Sequence, residues 1–220
     1  MKGWEQHANA VEVLLTSYAA IGPGQRVRLA KKTSNLFRPR SANDAPGLDV
    51  SGLDGVIAID TVAQTADVQG ICTYESLVDE TLPHGLIPYV VPQLRTITLG
   101  GAVTGLGIES TSFRHGLPHE SVLEMDILTG SGEIVTAAPD GDHADLFDTF
   151  PNSYGSLGYA VRIRIKLERV PRFVTLRHVR MANSRAAADA LEVIAHTGAW
   201  EGRRVDAVDG TAFSPEFLSH

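Results

Sequence analysis

The residues best suited to chemistry lie in one glycine-rich stretch. It reads PQLRTITLGGAVTGLGIESTSFRHG and contains Gly100, Gly101, Gly105, Gly107 and Gly116. Glycine loses the most conformational entropy on folding, so such a cluster indicates that a backbone or a ligand approaches closely. We expect the segment to be too irregular for a strand and too glycine-rich for a stable helix. Its backbone N–H groups would then face an anionic or heteroaromatic ligand. A plain surface loop is the alternative.

A second stretch with binding chemistry follows a short predicted strand in which Val27 and Leu29 alternate with arginines. Between Arg26 and Arg40 there are six basic residues and no acid, in a chain whose net charge is −7. The turn itself, KKTSN, offers ammonium, hydroxyl, amide and backbone N–H donors. These groups suit a phosphate, and a solvated charged turn is the alternative.

Few other motifs carry chemistry. Glu109 is a lone carboxylate in the glycine-rich loop, where it is a candidate to hydrogen-bond a ligand or substrate. A salt bridge or a helix cap is the alternative for Glu109. The segment PDGDHAD pairs a histidine with carboxylates, but a polar turn is ordinary between a hairpin and a helix, and we expect no metal there. Neither a P-loop nor a GxGxxG run that follows a strand is present.

Composition bounds the class of protein. The chain has 220 residues, 43% of them hydrophobic and 20% charged, which is typical of a globular protein with a buried core. The net negative charge argues against nucleic acid as a partner. A single cysteine, Cys72, excludes an internal disulfide and favours a cytoplasmic setting. No apolar run is long enough to span a membrane, and the N-terminus does not resemble a signal peptide.

Hydrophobic periodicity and turn residues predict a chain of mixed helices and strands. Helices are predicted over residues 8–20, 73–82 and 143–150, and short strands at 48–50, 56–60, 65–69 and 86–92. The strongest signals are the hairpin VLEMDILT-GSG-EIVTAA and the strand VRIRIKLERV. In that strand the apolar residues alternate with charged ones, so we expect one face to be buried and the other exposed.

Pro171 marks a predicted domain boundary. Beyond it we predict a strand over 173–181, a helix over 184–197 and a strand near 205–213. The predicted apolar face of that helix consists of Ala187, Leu191, Ile194 and Ala195. About fifty residues make only half of a small domain, so we expect residues 172–220 to begin a second domain that is cut short.

The order of these motifs resembles a known family. The strand and basic Ser-Asn turn, the run TLGGAVTGLGIESTSFRHGL, the GSGE hairpin and NSYGSLGYAVRIRI follow one another as in the FAD-binding domain of the vanillyl-alcohol oxidase/p-cresol methylhydroxylase (PCMH-type) superfamily. The glycine run, the NSYGSLG segment and VDGTAFSPE look most like the sterol Δ24-reductase (diminuto) branch. The resemblance implies an α+β fold: an FAD-binding domain over residues 1–171, with subdomains of about 1–90 and 91–171, and the start of an α+β substrate (cap) domain over 172–220.

The resemblance also implies which residues bind the cofactor. The FAD diphosphate would be held by the turn of Lys32, Thr33, Ser34 and Asn35. The segment under the flavin and ribityl chain would be Pro92, Thr98, Leu99, Gly100, Gly101 and Ala102. The loop beside the isoalloxazine would be Gly105, Gly107, Ile108, Glu109 and Ser110, and the segment near the adenine would be Gly155, Leu157, Gly158 and Val161.

Two departures from the family pattern affect this reading. The phosphate turn has no glycine, so its side chains must hold the phosphates. It also lacks the histidine that bonds covalently to the flavin in many relatives, so we expect non-covalent FAD. The nearest histidines outside the turn, His84, His115 and His119, are interpreted as structural or surface groups.

The resemblance implies an FAD-dependent oxidoreductase. In the sterol reductase branch, reduced flavin passes a hydride to a C=C bond of a sterol-like or isoprenoid lipid, NADPH recharges the flavin and an acid protonates the other carbon. That acid would lie in the cap domain. An oxidase or dehydrogenase of a sugar lactone or polyol alcohol is one alternative, and a non-catalytic, flavin-less binding module is another. A lipid substrate leaves peripheral contact with a membrane open, although no basic amphipathic helix supports it.

Overall fold

The computed structural model describes residues 1–31 and 45–213. The helices are α1 (Gly3–Ala19), α2 (Tyr74–Thr81), α3 (Leu99–Gly105), α4 (Ser112–His115), α5 (Ala144–Thr149) and α6 (Ser184–Thr197). The strands are β1 (Arg28–Leu29), β2 (Gly47–Leu48), β3 (Val56–Asp60), β4 (Thr65–Gln69), β5 (Leu86–Pro88), β6 (Val122–Leu128), β7 (Ile134–Ala137), β8 (Tyr159–Arg169), β9 (Ala199–Trp200) and β10 (Arg203–Arg204). Single 3₁₀ turns lie at Leu82–His84 and Pro118–Ser121.

Six strands form one antiparallel sheet around β8. Its order is β3-β4-β8-β6-β7, and β5 pairs with the far end of β8. Both the hairpin of β6 and β7 and the alternating strand β8 lie where their sequence patterns predict them. Strands β1 and β2 form a separate parallel pair, and β9 and β10 form a short hairpin. The α+β fold class is therefore confirmed.

Two apolar clusters hold these elements together. The larger cluster lies between one face of the sheet and α2, α3 and α5, where Leu77, Val103 and Phe150 are fully buried. The smaller cluster packs α1 and β2 against the end of β6 and the start of β8, and it includes Leu14 and Leu48. The larger cluster supplies the burial that makes its short helices stable, since isolated helices of this length are marginal in water.

A bulge in β8 connects the two clusters. Asp126 pairs with Arg162 and Ile127 pairs with Ala160, so Val161 is an extra residue on β8. The extra residue turns Val161 towards the smaller cluster, while Ala160 and Ile163 face the larger one.

The charged face of β8 is not exposed as the alternation predicts. Arg162 is only 7% exposed and bonds three carboxylates from the neighbouring strands, those of Asp67, Glu124 and Asp126. Helix α1 covers this cluster: the ring of Trp4 lies 5.9 Å from the guanidinium carbon of Arg162. Sequence alternation cannot detect a cover supplied by a distant helix, which is why this expectation is wrong at Arg162.

The same cover explains why α1 begins at Gly3 and not at the predicted residue 8. His7, on the added turn, is 8% exposed, and its Nδ1 lies 3.3 Å from Nε2 of Gln69. Burial lowers the pKa of His7 below the ordinary value for histidine.

The region after Pro171 differs most from its prediction. Residues 173–181 do not form the predicted strand, and the side chains of Phe173, Val174 and Leu176 are more than three-quarters exposed. The strand predicted near 205–213 is also absent from the described part of this segment, and a hairpin precedes it at β9 and β10. These segments have no sheet to join among the described residues, and a strand requires a partner for its backbone.

Helix α6 forms where predicted, but with a different buried face. Ala190 and Ile194 are buried, whereas Leu191 is 51% exposed.

Upstream, the main sheet takes strands from both sides of residue 90, so the subdomain limit placed there does not divide the sheet. The domain limits themselves stay a prediction.

Candidate functional site

Helix α3 corrects the expectation that the LGGAVTG segment is neither helical nor hydrogen-bonded. Thr98 caps the helix, because its Oγ1 accepts a hydrogen bond from the N–H of Gly101 at 3.2 Å. Leu99 N–H donates to the carbonyl of Cys72 at 2.8 Å, and Gly100 N–H donates to that of Gly70 at 2.9 Å. These three N–H groups therefore bind the protein itself, two to backbone carbonyls and one to the Thr98 hydroxyl, and do not face a ligand.

Close backbone packing explains two of the glycines. A Cβ on Gly100 would lie 2.7 Å from the carbonyl oxygen of Gly70. A Cβ on Gly70 would lie 1.9 Å from the carbonyl oxygen of Ala160. Real Cβ atoms do not approach backbone oxygens this closely. Glycine at both positions therefore allows α3 to pack against the end of β4, and the end of β4 to pack against β8.

Lys31 brings the basic segment to the start of α3. Its Nζ donates to Oγ1 of Thr98 at 3.2 Å, so the ammonium lies beside the cap of the helix. Burial lowers the pKa of Lys31, and within the described residues no carboxylate forms a salt bridge with it. A half-buried cation without a counter-charge is costly unless an anion binds there. The rest of the basic turn, Lys32, Thr33, Ser34 and Asn35, lies outside the described residues.

Two glycine-containing bends meet at the other end of α3: the first is residues 105–110, which start at the last residue of the helix, and the second is NSYGSLG, residues 152–158. The N–H of Tyr154 donates to the carbonyl of Thr104 at 3.1 Å. Since α3 rises about 1.5 Å per residue, the contacts at Thr98 and Thr104 are roughly 9 Å apart along its axis. Helix α3 thus joins the end of the basic segment at one side to both glycine bends at the other.

Both bends contain strained backbone. Leu106 follows α3 with φ of 58°, and Asn152 and Tyr154 have φ of 61° and 51°. Residues other than glycine seldom adopt a positive φ, and such backbone strain concentrates at functional sites. Exposed apolar side chains flank the same bends: Ile108 is 86% exposed, Tyr154 60% and Leu157 39%. Apolar groups presented on strained loops provide a surface for a flat ring.

The remaining glycines of the candidate site divide into packed and open positions. Gly158 has φ of 135° and its Cβ would lie 2.3 Å from the carbonyl oxygen of Leu128, so packing requires glycine there. Gly155 has φ of 82°. By contrast, a Cβ on Gly105 would meet no atom within 4 Å. Among the glycines of the candidate site, Gly105 is therefore the one with open space beside its backbone.

Glu109 is anchored to the chain and not to a cation. Its Oε2 accepts the backbone N–H of Gln93 at 3.1 Å, and its own N–H donates to Oγ of Ser112 at 2.9 Å. Neither the salt bridge nor the N-cap considered for Glu109 is seen in the described structure.

Exposure sorts the predicted cofactor residues into three groups. The buried ones are Pro92, Thr98, Leu99, Ala102 and Val161. The partly exposed ones are Gly100, Gly105, Gly107, Glu109, Ser110, Gly155 and Gly158. The exposed ones are Gly101, Ile108 and Leu157. Val161 belongs to the smaller apolar cluster, so its side chain contributes to packing within the protein. The cofactor roles of all these residues stay predictions.

Sequence reasoning placed Lys31 in the phosphate turn but missed its contact with Thr98. It also missed Gly70 and Thr104, which each connect α3 to a neighbouring segment. A signal existed for one contact, because Thr98 followed by Leu-Gly-Gly resembles a capped helix start. No local signal pointed to Gly70 or Thr104, because their roles depend on segments distant in sequence.

Other features of the described residues lie away from α3 or add no ligand site. A surface cavity of about 480 Å³ is lined by residues between Tyr18 and Val27 together with Gly130, and none of the predicted site residues borders it. In residues 1–31 and 45–213 no group of three or more His, Cys, Asp and Glu is arranged to hold a metal ion. None of the described helices combines the length and apolar character needed to cross a membrane.

Comparison with known proteins identifies the class to which this geometry belongs. Residues 9–138, more than half of the chain, match the family described as FAD binding domain. The chain is 31% identical over 129 residues to a Δ24-sterol reductase of Pisum sativum, and 30% identical over 167 residues to cytokinin dehydrogenase 3 of Oryza sativa subsp. japonica. These matches cover 59% and 73% of this chain, but only 23% and 32% of the two relatives.

The fold agrees with this assignment. A crystal structure of 6-hydroxy-D-nicotine oxidase from Arthrobacter nicotinovorans superposes with a TM-score of 0.60 at 19% identity, covering 76% of this chain and 35% of that one. At this identity the likeness concerns the fold alone. The chain belongs to the PCMH-type family of FAD-binding domains.

Proposed function

We propose that this chain binds FAD along α3 and serves an FAD-dependent oxidoreductase. The observation that carries the binding site is Lys31, a half-buried ammonium without a carboxylate partner in the described structure, held at the capped start of α3. A diphosphate supplies the missing negative charge. Roughly 10 Å further along, at and just beyond the end of the helix, the open position at Gly105 and the exposed side chain of Ile108 offer space and an apolar surface for the isoalloxazine.

Each part of the proposed site has a separate task. Lys31, with the predicted donors Lys32, Thr33, Ser34 and Asn35, neutralises the diphosphate. Thr98 fixes the ammonium of Lys31 and caps α3 at once, so charge and helix are positioned together. The strained bend after α3 presents Ile108 and Glu109 towards the ring. When bound, FAD supplies hydride transfer, while the protein provides binding, orientation and electrostatics.

The chemistry of the whole protein is the finer part of the proposal. We propose reduction of a C=C bond in a sterol-like or isoprenoid lipid, with NADPH as donor, in a cytoplasmic protein that contacts membranes peripherally. The sterol reductase relative supports reduction of a sterol-like substrate, whereas NADPH, the cytoplasmic setting and the membrane contact rest on the sequence resemblance alone. The second candidate is oxidation of an alcohol or lactone substrate, and the longer match to a cytokinin dehydrogenase supports flavin-linked dehydrogenation. Mixing the oxidised flavoprotein with NADPH, or the reduced flavoprotein with oxygen, and following the flavin absorbance, separates the two.

Replacement of Lys31 by Met tests the binding site. This change removes the charge while keeping most of the stem, and we expect FAD affinity to fall roughly 10- to 100-fold, since hydrogen bonds to charged groups contribute about 1.5–3 kcal/mol. The affinity is measured from the quenching of flavin fluorescence on titration of the chain with FAD.

Arg26→Ala is the matched control, because Arg26 is an exposed cation on the same segment. We expect it to bind FAD as the parent does. Equal affinity for Lys31→Met and Arg26→Ala would remove Lys31 from the site. A parent chain that binds no FAD, and shows no flavin absorbance near about 450 nm after reconstitution, would support the flavin-less module instead.

A further inference from the structure

Gln93 connects two carboxylates from distant parts of the chain at the bend that carries Glu109. Its backbone N–H donates to Oε2 of Glu109 at 3.1 Å, and its side-chain Nε2 donates to Oδ2 of Asp209 at 3.4 Å. Neither Glu109 nor Asp209 forms a salt bridge with a cation in the described structure. Two uncompensated negative charges are thus kept together by one neutral donor residue.

The segment that carries Asp209 is fixed to the same loop by further contacts. Val208 N–H donates to the carbonyl of Ser110 at 2.8 Å. Arg114 donates to the carbonyl of Asp206 at 3.0 Å and to the carboxylate of Glu168 at 2.8 Å. Residues 206–209 therefore lie across the loop that begins at Glu109, although about 100 residues separate them in sequence.

We propose that Gln93 is a positioning residue for both carboxylates, holding Glu109 with its backbone N–H and Asp209 with its side chain, and that the two carboxylates together make the bound flavin harder to reduce. This inference rests on the proposed flavin site, in which the loop at Glu109 lies beside the isoalloxazine. Reduction adds negative charge to the ring, and nearby carboxylates disfavour that charge. Glu109 acts directly because it lies on the loop, whereas Asp209 acts from further away through Gln93.

The two bonds of Gln93 can be broken separately. Gln93→Ala keeps the backbone N–H that holds Glu109 and releases only Asp209. Glu109→Gln keeps an oxygen that accepts the same N–H but removes the charge. Asp209→Asn removes the second charge and leaves a side chain of equal size. Asp140→Asn, in an exposed turn after β7, is the control for loss of one surface charge.

The readout is the midpoint potential of the bound flavin, measured by equilibration with a reference dye in the reconstituted full chain. We expect Glu109→Gln to give the largest shift to a less negative potential. Asp209→Asn should give a smaller shift in the same direction, Gln93→Ala a shift no larger than that of Asp209→Asn because the charge of Asp209 remains, and Asp140→Asn should give none.

The result separates this inference from the proposed function. FAD titration of each variant first shows whether flavin is bound, and a parent chain that binds none overturns both. Bound flavin with the same potential in Glu109→Gln and Asp140→Asn overturns the inference and leaves the FAD site standing. A shift in Glu109→Gln with none in Asp209→Asn or Gln93→Ala removes Asp209 and Gln93 from the assignment. Circular dichroism confirms that each variant is folded.

Discussion

Gly70 contacts the start of α3 and Gly105 is its last residue, and the two positions are occupied by glycine for different reasons. At the start of the helix, the backbones of Gly100, Gly70 and Ala160 are stacked so closely that no Cβ fits between them. At its end, a Cβ on Gly105 would have no neighbour within 4 Å. A glycine-rich motif can therefore combine positions required by packing with positions that leave space for a ligand, and the sequence alone does not separate them.

Gly70→Ala is expected to have the largest effect, because the added Cβ would lie 1.9 Å from a backbone oxygen of the central strand. The strand or α3 must shift, and we expect a loss of about 3 kcal/mol or more in the free energy of unfolding. Urea denaturation measures this loss. Wild-type stability in the variant would show that the stack of backbones at this end of α3 is looser than described.

Gly100→Ala extends the comparison to the helix itself. Its Cβ would lie 2.7 Å from the carbonyl oxygen of Gly70, which also accepts the N–H of Gly100. We expect a loss of about 1–2 kcal/mol, since the short helix can tilt away at the cost of that hydrogen bond. Chemical denaturation beside Gly70→Ala provides the measurement, and a loss larger than that of Gly70→Ala would reverse the assigned order of the two contacts.

This division explains how far the sequence could predict the structure. Strand β8 and the hairpin of β6 and β7 were predictable, because alternation and a GSG turn are local signals. Helix α3 was not, because low helix propensity is overridden by the cap at Thr98 and by packing of Val103 in the core. Arg162 was placed on an exposed face because α1, which covers it, is distant in sequence.

The candidate site divides in the same way. The resemblance predicts one ligand site from the LGGAVTG segment and both bends, and that site stays a prediction. The contact of Tyr154 with Thr104 does bring the two bends together. The sequence could not assign Lys31 to the cap of α3, nor Asp209 to Gln93, since both contacts join residues far apart in the chain. The strand expected over 173–181 failed because alternation predicts a strand without supplying its partner.

Gly105→Ala should have the smallest effect on stability and the most specific effect on binding. Its φ is not in the left-handed region and its Cβ meets nothing, so we expect the free energy of unfolding to be unchanged or raised by about 0.5 kcal/mol. If the flavin ring occupies the open space, the methyl group lies where the ring must pass, and FAD affinity should fall about tenfold, since one misplaced methyl costs about 1–3 kcal/mol. Fluorescence titration with FAD measures the affinity.

Gly130→Ala is the matched control, because Gly130 also lies in open space but in the turn between β6 and β7, which contains none of the predicted FAD-binding residues. It should change neither stability nor FAD affinity. If Gly105→Ala binds FAD as tightly as Gly130→Ala does, the space beside Gly105 is not filled by the ring. The open glycine would then be only the end of a helix, and the difference between the two ends of α3 would concern packing alone.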